Sequence, residues 1–216
     1  MGASEVRGPR PSSKPSRSLA LAFLWQFALL PVAYALDLGP LRMPIGASTV
    51  APFAFIEYCV RYPKRCAPDP EAREIEIDDR VLSELMLVQR LVNRSIIYRP
   101  DPPGVELSWT ENAKIGDCDD YALTKRARLL DAGWPSSALL LATARVPSGE
   151  EHIVVVVVTN SGDLVLDNLR PNVLNWGKLP YRWLKRSSPH DPREWNIVSR
   201  TSGQTAELKA VCKDRG

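Results

Sequence analysis

The chain has 216 residues, 44% of them apolar and 25% charged, with a formal net charge of +3. These values describe an ordinary globular protein, large enough for one substantial domain. With no dense Lys/Arg run and no basic patch interleaved with aromatics, the sequence excludes a nucleic-acid partner.

Residues 1–18 carry Arg7, Arg10, Lys14 and Arg17 among Pro and Ser, and residues 19–35 are almost entirely apolar and end Ala33-Tyr34-Ala35. A basic leader, a short apolar run and small residues at the cut predict a secretory signal peptide over 1–35, with no membrane insertion of what remains after cleavage. The alternative is an uncleaved anchor, because the apolar run approaches the length of a membrane span. Both readings put the remainder outside the cytoplasm, in a compartment where disulfides form. Cys59 and Cys66 are close enough in sequence to close a small loop, and that pairing leaves Cys118 and Cys212 over. A Cys66–Cys212 bridge stays open, since four cysteines pair in more than one way. No Cys/His spacing suits a structural zinc.

Residues 36–50 mix Gly, Pro and Ser and form an extended lead-in to a domain expected over 51–200. A short helix starts at Pro52 and is ended by Pro63, and residues 67–78 make a polar connection. Val81, Leu85, Val88 and Val92 recur at helical spacing and predict a long core helix over 79–98, capped by Asp78 or Asp79. The run Pro100 to Gly104 breaks regular structure, and residues 107–114 continue as loop. A second helix is predicted over 118–131, with Ala122, Leu123, Ala127 and Leu130 facing inward and Gly133 as its left-handed stop. A strand follows over 136–145. The consecutive valines of 154–158 then predict a strand over 152–158 that is buried on both faces. A turn over 159–163 leads to a returning strand over 164–168, with further strands near 181–186 and 195–199 and a loosely ordered tail over 201–216. Helices first and antiparallel strands after them define an α+β class, with the helices packed on an antiparallel sheet.

The stretch 116–123, Gly-Asp-Cys-Asp-Asp-Tyr-Ala-Leu, sets one thiol among Asp117, Asp119 and Asp120 at a helix start. Cysteine catalysis needs a thiolate, a base and a group that orients the base. Cys118 is followed by His152 at the head of a strand and by Asp167 on the returning strand, whereas the other histidine, His190, lies in a turn-like Ser-Pro-His-Asp-Pro. Taken singly these residues have bland roles: a small buried hydrophobe, a structural histidine and a turn cap. Their order and spacing favour the catalytic reading. A loop of residues 159–162 pairs Val158 with Asp163 and sets Asp167 opposite Val154, one diagonal step from His152 on the same sheet face. One more loop residue would turn Asp167 to the other face. The backbone N–H of Cys118 is a candidate oxyanion donor. A helix N-terminus favours a thiolate, but three carboxylates oppose it, and a calcium ion would cancel that repulsion. The alternative is a run of Asp favoured by the helix dipole alone.

Residues 116–123, the His152 strand and Leu-Val-Leu-Asp-Asn at 164–168 resemble the bacterial transglutaminase-like cysteine peptidases, a periplasmic family with a papain-like, transglutaminase-core fold. The similarity extends to residues 55–66, Val92-Asn93, Ile97-Tyr98, Trp109, Tyr181 and Trp183. The resemblance implies a catalytic triad of Cys118, His152 and Asp167, and calcium ligation by Asp117 and Asp119. Asp119 stands where the family typically carries Glu. It further implies a periplasmic, calcium-dependent endopeptidase that releases a surface adhesin and is restrained by an inner-membrane cyclic-di-GMP receptor. Two other classes compete: a non-catalytic periplasmic binding or scaffold domain that keeps the fold, and a transglutaminase-type crosslinking enzyme.

Overall fold

The computed structural model describes Gly2, residues 42–102 and residues 109–199. The predicted cleavage site, the C-terminal tail and Cys212 lie outside the described residues. The chain divides into two compact units, Met1–Leu36 and Asp37–Gly216, and every described element belongs to the second.

Helices α1 (Phe53–Arg61), α2 (Asp79–Ser95) and α3 (Cys118–Asp131) precede most of the strands. The main sheet contains β1 (Ile45–Thr49), β4 (Leu139–Arg145), β5 (Glu151–Thr159), β6 (Gly162–Leu166), β7 (Leu174–Asn175), β8 (Arg182–Ser187) and β9 (Trp195–Val198). Its order is β1-β9-β8-β4-β5-β6-β7, and every pairing in it is antiparallel. A short parallel pair, β2 (Ile97–Tyr98) with β3 (Ile115–Gly116), stands apart from it. This is the α+β architecture expected from the order of helical and strand patterns.

β5, next to the middle strand β4, finds apolar partners for its side chains on both faces of the sheet. Ile153, Val155 and Val157 pack with Phe55, Leu85, Leu123 and Leu129 from the three helices. Val154 and Val156 meet Trp176, Tyr181 and Trp183 on the opposite face. An unbroken valine run, in place of an alternating one, is what such a strand requires.

The β5–β6 hairpin has the predicted register, with Val158 opposite Asp163. Its loop is shorter than the four residues expected, because Thr159 and Gly162 also pair. Gly162 takes φ +110° there, and the Thr159 hydroxyl donates to its carbonyl at 2.6 Å. The shorter loop changes no register, so the ladder still runs toward a Val154–Asp167 pairing.

Asp78 caps α2 by accepting from the Val81 N–H at 2.6 Å. The helix ends at Ser95 rather than at 98, where β2 begins its pairing with β3. β-branched Ile96 and Ile97 and the approaching Pro100 favour extended backbone over a last helical turn. Residues 136–138, expected as strand, form a 3-10 turn ahead of β4. The lead-in segment contributes β1, an edge strand paired with β9. Cys59 and Cys66 form a disulfide that ties α1 to the 3-10 turn Pro63–Cys66.

α3 stops at Asp131, and Gly133 just beyond its cap takes the left-handed φ of +88° that the sequence predicts. It is buried on more than the expected inward face, with Thr124, Lys125 and Arg126 interior as well. Arg126 is accommodated by donating to the carbonyls of Leu139 and Arg65 at 2.8 Å each.

Candidate active site

α3 packs against β5, and its first residue is Cys118, a half-buried free thiol. The backbone N–H of Ile153 on β5 lies near enough to the Cys118 sulfur to favour its thiolate, which sets the thiol one residue along the strand from His152. Cys118 and His152 share the wall of an open cleft of about 1030 Å³ that Trp109, Asp117, Asp119, Phe53 and Lys185 also line.

His152 is buried, and its Nε2 lies 2.8 Å from Asp167 Oδ1. A carboxylate only accepts, so Nε2 carries the proton and Nδ1 is left as the basic nitrogen. Asp167 is held from every side. Oδ1 also accepts from the Leu169 N–H at 2.8 Å, and Oδ2 accepts from the Tyr181 hydroxyl at 2.6 Å. Burial alone would raise this carboxyl, but the His152 hydrogen bond and charge, with the Tyr181 and Leu169 bonds, hold it below the usual carboxylate range.

The three carboxylates beside the thiol, alike in sequence, separate into different roles. Asp120 is a structural cap: Oδ2 accepts from the Asp117 N–H at 3.2 Å and Oδ1 from the Thr110 N–H and hydroxyl at 3.1 and 2.8 Å. Gly116 makes room for it, because a Cβ there would overlap the Asp120 carboxylate. Gly116→Ala is therefore expected to displace the cap, costing about 1 kcal/mol, read as a Tm lower by about 2–4 °C in thermal unfolding.

Asp117 and Asp119 remain. With Cys118 they present ligand atoms within 4.8 Å of one another. Asp119 is buried, and burial, then the hydrogen bond and charge of Asp117 and the charge of Asp120, hold its carboxyl well above the usual range. Burial and the Asp117 charge push the Cys118 thiol up to about 12; the Ile153 N–H opposes this and Asp119 adds to it. Two crowded carboxylates, one of them denied its ionised form, are a donor set that fits a hard divalent cation such as calcium.

The family of bacterial transglutaminase-like cysteine proteinases (BTLCP) matches the chain over residues 45–202. The chain belongs to this family. Solved structures of Legionella pneumophila LapG are also similar to it. The calcium-bound form is 22% identical, covering 63% of this chain and 81% of that one at a TM-score of 0.47. A second LapG structure is 22% identical over 63% and 78% of the two chains, with a TM-score of 0.48. An EGTA-treated form is 20% identical over 63% and 80%, with a TM-score of 0.45. Among curated proteins none matches.

This transglutaminase-like cysteine peptidase also uses residues that its sequence motifs did not single out for the site. Gln89 on α2, fully buried, accepts from the Asp167 N–H at 3.1 Å and donates to the carbonyls of Asp167 and Arg170 at 2.7 Å each. Asn93, one turn on, donates to the same two carbonyls at 3.2 and 3.1 Å. Together they fix the turn that aims Asp167 at His152. The available signal was the placement of Gln89 on the apolar stripe of α2, where an amide needs interior partners. Asn93 and Tyr181 entered only through the resemblance. His190, as expected of its turn, is exposed.

Proposed function

We propose that the chain is an exported cysteine endopeptidase in which Cys118 is the nucleophile, His152 the base and Asp167 the orienting carboxylate. The observation that carries this reading is the His152–Asp167 hydrogen bond on one wall of a cleft that also holds a free thiol at a helix N-terminus. His152 Nδ1 takes the thiol proton, and the Cys118 thiolate adds to the carbonyl carbon of a peptide bond. The Cys118 N–H receives the developing oxyanion. The imidazolium returns its proton to the leaving amine, which departs and leaves a thioester. Nδ1 then deprotonates a water that hydrolyses the thioester and frees the thiol.

Asp117 and Asp119 would hold calcium, which supplies positive charge beside the sulfur and offsets the repulsion that keeps the thiol protonated. The leader at 1–35 and the disulfide support a periplasmic setting. By family resemblance the substrate is a surface or outer-membrane protein of the adhesin type, and a cyclic-di-GMP receptor of the inner membrane is the expected restraint.

Cleavage of a co-expressed exported adhesin is the test. Cys118→Ser is expected to abolish it, and unchanged cleavage by that variant overturns the reading. Product masses with and without an added primary amine separate hydrolysis from acyl transfer to an amine, since the thioester is common to both.

A further inference from the structure

Residues 109–112, which begin with Trp109 in the cleft wall, are held from two sides, and the proposed steps have no use for one of them. On the α3 side, Thr110 donates to Asp120 and the Asn112 N–H donates to the Thr124 hydroxyl at 2.8 Å. Trp109 and Glu111 are tied instead to α1 and to the 3-10 turn that follows it. Arg61 Nη2 donates to the Trp109 carbonyl at 2.7 Å, the Tyr58 hydroxyl to Glu111 Oε2 at 2.9 Å, and Arg65 Nη2 to Glu111 Oε1 at 3.1 Å. The Trp109 ring also leans on Phe55 of α1, with centroids 6.2 Å apart. Asn112 closes the segment at φ +61°, the one positive φ outside glycine among the described residues. A side chain keeps that conformation only where its surroundings over-determine it, as contacts on each of these successive residues do. The gripping residues are themselves fixed. The Cys59–Cys66 disulfide closes the loop that contains Arg61 and Arg65. Arg61 lies over the Tyr62 ring, 5.9 Å from its centroid, and Arg65 pairs with Asp131 at the end of α3 at 2.6 Å.

We propose that Arg61 and Arg65 are positioning residues for substrate binding: from the disulfide-closed loop they hold residues 109–112 so that Trp109 stays in the wall of the Cys118 cleft. Pro52 and Phe53, at the start of α1, line the same cleft. One disulfide-tied unit thus sets apolar lining both directly and through the held segment. An apolar wall takes apolar side chains of a polypeptide, and it binds the substrate and the transition state alike. The contacts of Arg61 and Arg65 therefore act on KM. They do not reach the chemical step, because Arg61 holds the Trp109 carbonyl while His152 keeps its bond to Asp167 and Thr110 its bonds to Asp120. The inference rests on the peptidase reading.

The test is steady-state cleavage of the purified adhesin of the co-expression assay, together with iodoacetamide alkylation of Cys118, read by mass on its own peptide. Arg61→Met keeps an exposed side chain of similar length and removes the donor. It should raise KM about tenfold and hold kcat within about twofold, the pattern of lost uniform binding. Alkylation by the small reagent and the Tm should stay close to the wild type. Arg61→Lys, which can still donate to the Trp109 carbonyl, should recover most of the lost affinity. Glu111→Gln keeps an acceptor for Tyr58 but not the charge that Arg65 meets, and it should shift KM in the same direction. A wild-type KM in both Arg61→Met and Glu111→Gln overturns the positioning role and leaves the peptidase reading intact. So does a joint fall in kcat, alkylation and Tm, which marks the contacts as general support of the fold. Absence of cleavage by the wild type overturns the peptidase reading and the inference with it.

Discussion

Asp167→Asn is expected to lower kcat/KM of the peptidase by about 10⁴-fold while leaving the protein folded. The carboxylate accepts from His152 Nε2, and that bond places the ring proton away from the thiol. An asparagine amide turned toward the ring donates instead, so Nε2 becomes the acceptor and the proton moves to Nδ1. The nitrogen proposed to take the Cys118 proton then has no lone pair to offer. Geometry is otherwise kept, because Gln89 and Asn93 hold the backbone of residue 167 rather than its carboxylate. Substrate cleavage and Cys118 alkylation should fall together while the Tm changes little. A variant keeping more than about a tenth of wild-type activity would remove Asp167 from the mechanism.

The parts of the fold legible in the sequence are those set by local pattern. α3 was predicted from its Asp-rich start, its apolar spacing and Gly133, and all three features hold it in place. The valine run of β5 gave both its strand character and its burial on two faces. The hairpin register followed from counting turn residues, even though its loop is tighter than expected. Pairings between distant segments were not legible. β1 joins β9 across most of the chain, and no local signal in residues 36–50 distinguishes an edge strand from an extended linker. The last turn expected of α2 was lost to the β2–β3 pairing in the same way.

At the site, residue chemistry was legible and residue environment was not. Three aspartates around Cys118 look equivalent on the page, yet Asp120 is spent on a cap that Gly116 makes possible, and Asp119 is buried against Asp117. Lys125 follows Tyr121 by four residues and would pass for an ordinary helix-surface lysine. It is nonetheless fully buried, on a helix packed against both α2 and β5. Gln89 was masked by the very pattern that revealed its helix, because an apolar-stripe count registers an amide as a gap when it is in fact the clamp on Asp167.

Calcium is expected to raise the Tm of the wild-type peptidase and to have little effect on Asp117→Ala. At a hundredfold excess over Kd, binding to the folded state contributes about 2.7 kcal/mol, or about 5–10 °C for a domain of this size. The pH dependence provides a second readout. The folded Asp119 carboxyl is held above its unfolded value, chiefly by burial and by Asp117. Its contribution is therefore complete below the unfolded pKa of about 4 and is lost as pH rises through the folded value. Asp167, held below the usual range, contributes in the opposite sense: its share is present above about 4 and is lost as pH falls through the folded value. In EGTA the Asp119 trend should make the wild type progressively less stable from about pH 5 to pH 8 relative to Asp119→Asn, which has no such carboxyl. Calcium at the proposed site would take both carboxylates in their ionised form, so it should abolish that difference in slope and bring the onset of Cys118 alkylation to lower pH. Equal calcium shifts in the wild type and in Asp117→Ala would show that these carboxylates hold no cation and that the acidity serves only the helix start, whereas parallel EGTA profiles for the wild type and Asp119→Asn would show that the Asp119 carboxyl is not held above its unfolded value.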